Sequence, residues 1–500
     1  MVVRLKPSLI CLITIWIYWW TRLHNLDELP LFLDEAAHIW WARLVWDWQP
    51  FHAASDGRLF NVIWASMFWP FNSSVWIARA ATILITTIGF SAILAFAQRL
   101  HSKEAAIIAG VIYILVPYAL FFERMQLPDP YAATFTMLLL WSSAKLALAP
   151  HQNKHKFIVG LALAAGMISK LTYIVFLPIP LIAGLTLGHS YNKLYRNAQL
   201  TAALHSYIIG ALLLLPVVAA LKLIANSDMG LDLLARKTVN NPAEMWAQAK
   251  FSTPIIWRYF NTLFTPWLWW PGLLAMVIAM WKHTRVSLYV GISTLIGLVS
   301  LVAKSNPGFL EARFALPHVP LLIVLMAIGI AAIWVKLRSW TSYAREIVLT
   351  IGLLFLYPST QFMWASWTEP DKLILPDRDK WEYITGWPSG YGFREIAQYY
   401  DNSNSDKTLL TLDLGGQQRL AAYLPPGSRI TPLWKPPDKL MVDLNANVIT
   451  DNLLLIIDSP KDNGTIDDLG LNLLPLLEYP RPGDDSKLII AKIIQEEITN

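Results

Sequence analysis

The sequence has almost no cysteine, little charge and no glycine-rich phosphate loop, and each shortage closes off a class of explanation. Its one cysteine, Cys11, lies in the first apolar run, so neither an internal disulfide framework nor a cysteine-based metal site can form. Charged residues make up 15% of the chain, whereas soluble domains carry about 25%; much of this surface must face something other than water. Without a P-loop or a dinucleotide-type turn, a nucleotide-linked donor finds no cradle for its phosphates. Repeats and low-complexity tracts are absent, which removes solenoid and tail-like readings. An apolar run, 8–20, follows Arg4 and Lys6, but no small-residue cleavage site comes after it. It ends in Tyr18-Trp19-Trp20-Thr21-Arg22 and reads as an uncleaved signal anchor.

What is present is apolar and aromatic: 55% hydrophobic residues and 24 tryptophans in 500 positions. Trp and Tyr gather where acyl chains meet headgroups, since their rings are apolar at one end and polar at the other. Hydropathy predicts a polytopic α-helical membrane protein of about 11 spans, each near the roughly 20 residues that cross hydrocarbon. They fall at 8–22, 75–98, 105–122, 131–149, 157–170, 172–188, 200–224, 266–281, 286–303, 314–335 and 346–363. The segment 157–188 is taken as two short helices around Lys170, because one long helix would reverse every later loop. Loop charge then alternates. One set holds Arg99 and Lys103, Lys154 and Lys156, Lys193 and Arg196, Lys282 and Arg285, then Lys336, Arg338 and Arg345. The other set holds most of the acids, including Asp27, Asp34, Glu35, Asp56, Asp129 and Glu244. By the positive-inside rule the N-terminus is cytoplasmic and the C-terminal domain extracytoplasmic; a prokaryotic plasma membrane is the expected location. The net charge of +5 is small for this length, and the bilayer, not a nucleic acid, is the expected partner.

From about Thr368 the apolar runs shorten and Asp, Asn, Pro and Gly rise. Strands are predicted at 407–414, 452–459 and 487–494, and short helices at 392–400 and 417–423. The expected division is a membrane domain, 1–363, and a small soluble α/β domain, 364–500. The turn-rich stretch 386–392 reads as a structural joint, and no acid–base constellation marks the tail as a second site.

The segment between the first two spans, 24–74, is too long for a simple connector. It runs Leu29-Pro30-Leu31-Phe32-Leu33-Asp34-Glu35-Ala36-Ala37-His38 into an aromatic helix, 39–48. The bland reading makes Asp34 an N-cap and Glu35 a first-turn acid. Against it, the hydrophobic approach and Trp40, Trp41, Trp46 and Trp48 hold the pair at the membrane surface. His38, one turn after Asp34, shares its face.

Asp34-Glu35 in this position resembles the signature of the C-type fold glycosyltransferases, most closely glycosyltransferase family 39: the protein mannosyltransferases and bacterial aminoarabinose transferases. Asp56-Gly57-Arg58, Arg79, Glu123-Arg124-Met125-Gln126-Leu127-Pro128-Asp129-Pro130, Gly166-Met167-Ile168-Ser169-Lys170 and Glu311-Ala312-Arg313-Phe314-Ala315-Leu316-Pro317 resemble further family segments in the same order. Phe314 stands where the family pattern has Tyr. The likeness covers roughly 1–335.

The resemblance implies inverting transfer of a sugar from a polyprenyl phosphate to a protein, lipid or polysaccharide acceptor. Such chemistry needs a base for the acceptor hydroxyl and fixed positive charge at the leaving phosphate. Asp34 is the expected base, with Glu35, His38 and Asp129 in support. Arg58, Lys170 and Arg313 are expected to hold the phosphate, with Arg79, Arg124, Arg236 and Lys304 as weaker candidates. Lys170 and Arg313 could instead snorkel to headgroups, Arg313 could pair with Glu311, and Arg79, inside a span, could take an outer-loop acid as a buried partner. No metal is assigned, although Asp34, Glu35, His38 and Asp129 could be assembled around a divalent cation. A transporter or flippase would show related halves and midplane charges, and neither is seen. A ligase of the same fold acting on lipid-linked glycans stays open, and a non-catalytic receptor would tolerate loss of Asp34.

Overall fold

The computed structural model describes residues 7–49, 58–68, 74–188, 193–226, 235, 241–282, 284–304, 308, 310–403, 407–425, 428–432, 453–469, 473–483 and 486–494. The chain is a multi-pass membrane protein whose helical half carries a small sheet domain at one end. Among the described residues, six helices are long and apolar enough to cross a bilayer: Val75–Leu100, Pro128–Leu148, Asn197–Ile224, Arg285–Ala303, Ala312–Trp340 and Glu346–Thr368. Pro242–Leu263 and Pro266–Lys282 meet the same test only as a pair, bent by 111°.

The expected eleven crossings are therefore not confirmed, and the reasons are local. The run 105–122 is broken at Val116, which adopts extended angles because Pro117 follows it. Pro7–Leu23 and Asn153–Ser169 reach only 17 residues each. The stretch 171–187 is a 3-10 turn, Leu171–Phe176, followed by a short α-helix, Ile179–Leu187. Two helices, Phe60–Ser66 and Pro242–Leu263, were not anticipated from hydropathy. The second is amphipathic, burying Ser252, Ile256, Tyr259 and Phe260 while Trp246 and Phe251 stay exposed.

One cluster of buried charge in the bundle is closely paired, as low dielectric favours. Arg22, fully buried, donates to Glu123 at 3.1 Å and to the carbonyls of Tyr113 and Ile114. Tyr18 and Tyr113 also donate to Glu123. This knot fixes the first helix against the segment that leads to Asp129.

The sheet has five strands in the order β2-β1-β3-β5-β4: β1 Thr408–Thr411, β2 Ile430–Pro432, β3 Leu453–Ser459, β4 Leu473–Pro480 and β5 Lys487–Ile493. β1 pairs in parallel with β2 and β3, and the helix Leu414–Tyr423 supplies the crossover that a parallel pair needs. β5 is antiparallel to both β3 and β4. β3 is central and buried along most of its length, whereas edge strand β4 is half exposed and carries two prolines.

This domain clamps the approach to Asp34. The Leu33 amide donates to the Pro388 carbonyl at 3.0 Å, and the Leu31 amide to the Tyr423 hydroxyl at 2.9 Å. Phe32 packs on Tyr383 with ring centroids 4.5 Å apart. Gly390 passes so close that an added Cβ would lie 2.1 Å from the Leu31 carbonyl oxygen. The helix it braces runs Leu33–Trp46, and its N-cap is Phe32, with no side-chain cap bond. Asp34 lies in the first turn and does not cap the helix, which leaves its carboxylate available for tertiary contacts.

Candidate active site

Asp34 accepts a hydrogen bond from Arg313 Nη2 at 2.7 Å. The Asp34 side chain keeps 40% of its surface open, while Arg313 keeps 7%. Arg313 is delivered by a 3-10 turn, Ala312–His318, that leads into the long helix Val319–Trp340. Its Nε faces Glu311, with which it forms a second ion pair. Burial acts to raise the Asp34 pKa, but the charges of Arg313, Arg58 and His38 outweigh it, and the pKa falls to about 2. Asp34 is thus a carboxylate throughout the physiological range, held in check by two guanidinium groups.

Lys170 joins the same centre. It is the C-cap of Asn153–Ser169, in an extended conformation, and its ammonium donates to Asp129 Oδ1 at 2.5 Å. The helix can bend there because Gly166 lies against the Tyr173 ring, where a Cβ would be 2.3 Å from ring carbons. Asp129 is buried in the first turn of Pro128–Leu148, where the helix dipole favours an acid. Phe314 links the two cations: Lys170 Nζ lies 4.2 Å and the Arg313 guanidinium carbon 5.7 Å from its ring centroid. Phe32 offers Arg313 a second ring at 5.3 Å. Arg58 reaches Asp34 electrostatically and lies 5.5 Å from the Trp41 ring.

Asp34, Arg313, Lys170, Asp129 and Arg58 are therefore brought together, with His38 at the margin. His38 is buried, bonded through Nδ1 to Asn61 at 3.1 Å and set edge-on to Trp41. Glu35 turns the other way. It takes Arg79 in a two-pronged pair at 2.8 and 2.7 Å and accepts the Gln126 amide, all about 1% exposed or less. Arg79 also donates to the carbonyls of Leu26 and Leu29, and so holds up the whole approach to Asp34. Arg124 donates to the His24 and Asn25 carbonyls and to Ser366. Lys304 ends the helix Thr284–Lys304, and Arg236 lies outside the described residues. Among the described residues no group of three or more His, Cys, Asp or Glu side chains could hold a metal ion.

The C-terminal domain brings charges that sequence reasoning had not placed here. Glu382 accepts from Arg378 at 2.9 Å through Oε1, while Oε2 is buried with no hydrogen-bond partner among the described residues. Burial, then the Glu311 charge, pushes the Glu382 pKa up to about 7. Asp379 is fully buried, and burial with the charges of Glu382 and Glu311 pushes its pKa well up. Tyr383 completes the wall, in edge contact with Phe121. The only local sign was the acid spacing in Asp379-Lys380-Trp381-Glu382, which by itself reads as a solvated turn.

Comparison with known proteins bears on the fold. Residues 59–221 match the family model of the dolichyl-phosphate-mannose-protein mannosyltransferases. The fold is similar to ArnT from Cupriavidus metallidurans bound to undecaprenyl phosphate, with a TM-score of 0.66 at 12% identity, covering 97% of this chain and 98% of that one. It is also similar to the archaeal oligosaccharyltransferase AglB from Archaeoglobus fulgidus, in complex with an inhibitory peptide and a dolichol-phosphate. There the TM-score is 0.52 at 12% identity, covering 90% of this chain and 69% of that one. No curated protein sequence matches the chain. With the mannosyltransferase pattern in one segment and the whole chain superposing on such structures, this is a C-type fold membrane protein that resembles the family 39 glycosyltransferases.

Proposed function

We propose that the chain transfers a sugar from a polyprenyl-phosphate donor to an acceptor at the extracytoplasmic face, with inversion at the anomeric carbon. Asp34 takes the acceptor hydroxyl proton; the acceptor oxygen bonds to the anomeric carbon as the carbon–phosphate oxygen bond breaks. The leaving phosphate keeps that electron pair, and Arg313, Lys170 and Arg58 neutralise it. Guanidinium suits this task because its fork matches two phosphate oxygens at once. Asp129 orients Lys170. The observation that carries the reading is the open Asp34 carboxylate beside a nearly buried arginine, with Lys170 on the same aromatic ring.

The extracytoplasmic placement is supported by distance along one helix. Arg79, which braces the Asp34 approach, and Arg99, in a basic loop, are separated by a continuous helix, Ser74–Leu100. At a rise of 1.5 Å per residue that is about 30 Å, the thickness of the hydrocarbon core. The site and the C-terminal domain therefore share the end opposite that basic loop.

The test is to incubate the purified protein in lipid with a panel of polyprenyl-phosphate sugars and candidate acceptors. The reading expects release of polyprenyl phosphate, an acceptor-bound sugar and inverted anomeric configuration by NMR. A protein that moves the donor across a vesicle without cleaving it is a flippase and contradicts the proposal.

A further inference from the structure

The sequence pointed to Arg313 and offered Glu311 as an ion partner for it. The structure gives Glu311 a place of its own. Both flanking residues are pinned by tyrosines: the Leu310 carbonyl accepts from the Tyr259 hydroxyl at 2.7 Å, and the Ala312 carbonyl from Tyr118 at 2.6 Å. Tyr118 is fully buried and Tyr259 nearly so. The backbone that presents Glu311 is therefore rigid on both sides. From it the carboxylate meets Arg313 at Nε, the inner edge of the guanidinium, while Nη2 points to Asp34. A guanidinium gripped at Nε can still turn its Nη edge toward an incoming group.

We propose that Glu311 is a positioning residue that fixes Arg313 by Nε, so that its Nη edge serves Asp34 in the empty site and the donor phosphate in the loaded one. This rests on the reading that Arg313 meets the lipid phosphate. Two consequences follow from the geometry. Arg313 stays anchored when the phosphate draws its Nη edge off Asp34, and that release frees the carboxylate to act as a base once donor is bound. Donor binding and base activation are then one event, and acceptor or water meets an active base only beside a bound donor. The charged groups around this exchange are Arg58 and His38 beside Asp34, Asp129 and Lys170 across Phe314, and Asp379 and Glu382 behind Glu311.

Reach and charge can be separated. Glu311→Asp keeps the charge but withdraws it by one methylene. Glu311→Gln keeps the reach, its amide oxygen still able to accept from Nε, and removes the charge. The probe is polyprenyl phosphate alone, titrated onto the full-length protein in lipid nanodiscs. The geometry predicts affinity about tenfold weaker for Glu311→Asp, about 1.4 kcal/mol, because Arg313 loses the ion partner at its Nε. Glu311→Gln should bind at least as tightly as wild type, since removing a negative charge favours a phosphate. Wild-type affinity in Glu311→Asp, or weaker binding by Glu311→Gln than by Glu311→Asp, overturns the inference. If wild-type binding is indifferent to Arg313→Ala, the phosphate site itself is wrong; if it depends on Arg313 but not on the reach of residue 311, only the role of Glu311 falls.

Discussion

Asp34 and Glu35 are adjacent in the chain and answer to different cations: Asp34 faces Arg313 at 2.7 Å with its carboxylate partly open, and Glu35 is sealed against Arg79 at 2.7 Å. Neighbours on a helix point about 100° apart, which is enough to split chemistry from support. Breaking a buried ion pair by removing one partner leaves an uncompensated charge, at a cost of about 3–5 kcal/mol. Glu35→Ala should therefore lower the melting temperature sharply, and Asp34→Asn by less, since its carboxylate is partly open and Arg313 keeps Glu311. Thermal unfolding of both variants in one detergent checks this, and equal losses would refute the division of labour.

Lys170 should act on the donor. Its replacement by Met removes the cation over Phe314 while keeping an apolar side chain of similar length. Binding of polyprenyl phosphate should weaken by roughly tenfold or more, as expected for a hydrogen bond to a charged group. Asp129→Asn should weaken it less, because Lys170 keeps its charge but loses its orientation. Lipid titration of the two variants gives the ranking directly.

Glu382 offers a pH signature. Its pKa is raised by burial and the Glu311 charge to about 7, so the fold favours the protonated form. The stability this provides is complete below the ordinary glutamate range and is lost as pH rises through about 7, where a charge must be buried. Glu382→Gln removes that loss. The melting temperature of the variant should exceed that of wild type at pH 8, and the gap should close at pH 5. A gap of the same size at both pH values would show that the carboxyl does not titrate in this window.

The docking of the C-terminal domain can be tested at one glycine. In Gly390→Ala the new methyl meets the Leu31 carbonyl at 2.1 Å, a distance that no packing tolerates, so the domain or the Asp34 approach must shift. Overpacking of this kind costs about 1–3 kcal/mol, and displacing the helix Leu33–Trp46 should lower turnover beyond any loss of folded protein. Turnover per folded molecule equal to wild type would mean that the domain does not position Asp34.

The membrane class, the helical bundle and the α/β tail were legible because apolar runs of span length and a sudden change in composition are one-dimensional signals. The number of crossings was not. A break at Val116-Pro117 and a bend between Leu263 and Pro266 depend on how neighbouring helices receive them. The expected membrane domain stopped at 363, but the helix Ala344–Thr368 runs on past that point. β2 escaped notice because it has three residues, and β4 because Pro475 and Pro480 argue against a strand anywhere but at an edge. At the site, Asp34, Lys170 and Arg313 each carried a local pattern. Asp379, Glu382 and Tyr383 acquire meaning only when the tail folds back onto the approach to Asp34, about 350 residues earlier, which no local window spans. A lone arginine inside a span, such as Arg79, advertises a buried partner in the sequence; which acid it takes is visible only in three dimensions.

The most direct test of the proposed reaction is single-turnover transfer by Asp34→Asn, with donor preloaded in nanodiscs and acceptor added last. Loss of a general base costs about 10²–10⁴-fold in rate. The proposed site predicts a fall of that size with polyprenyl-phosphate binding retained. Transfer at the wild-type rate by a folded, donor-loaded Asn variant would contradict it.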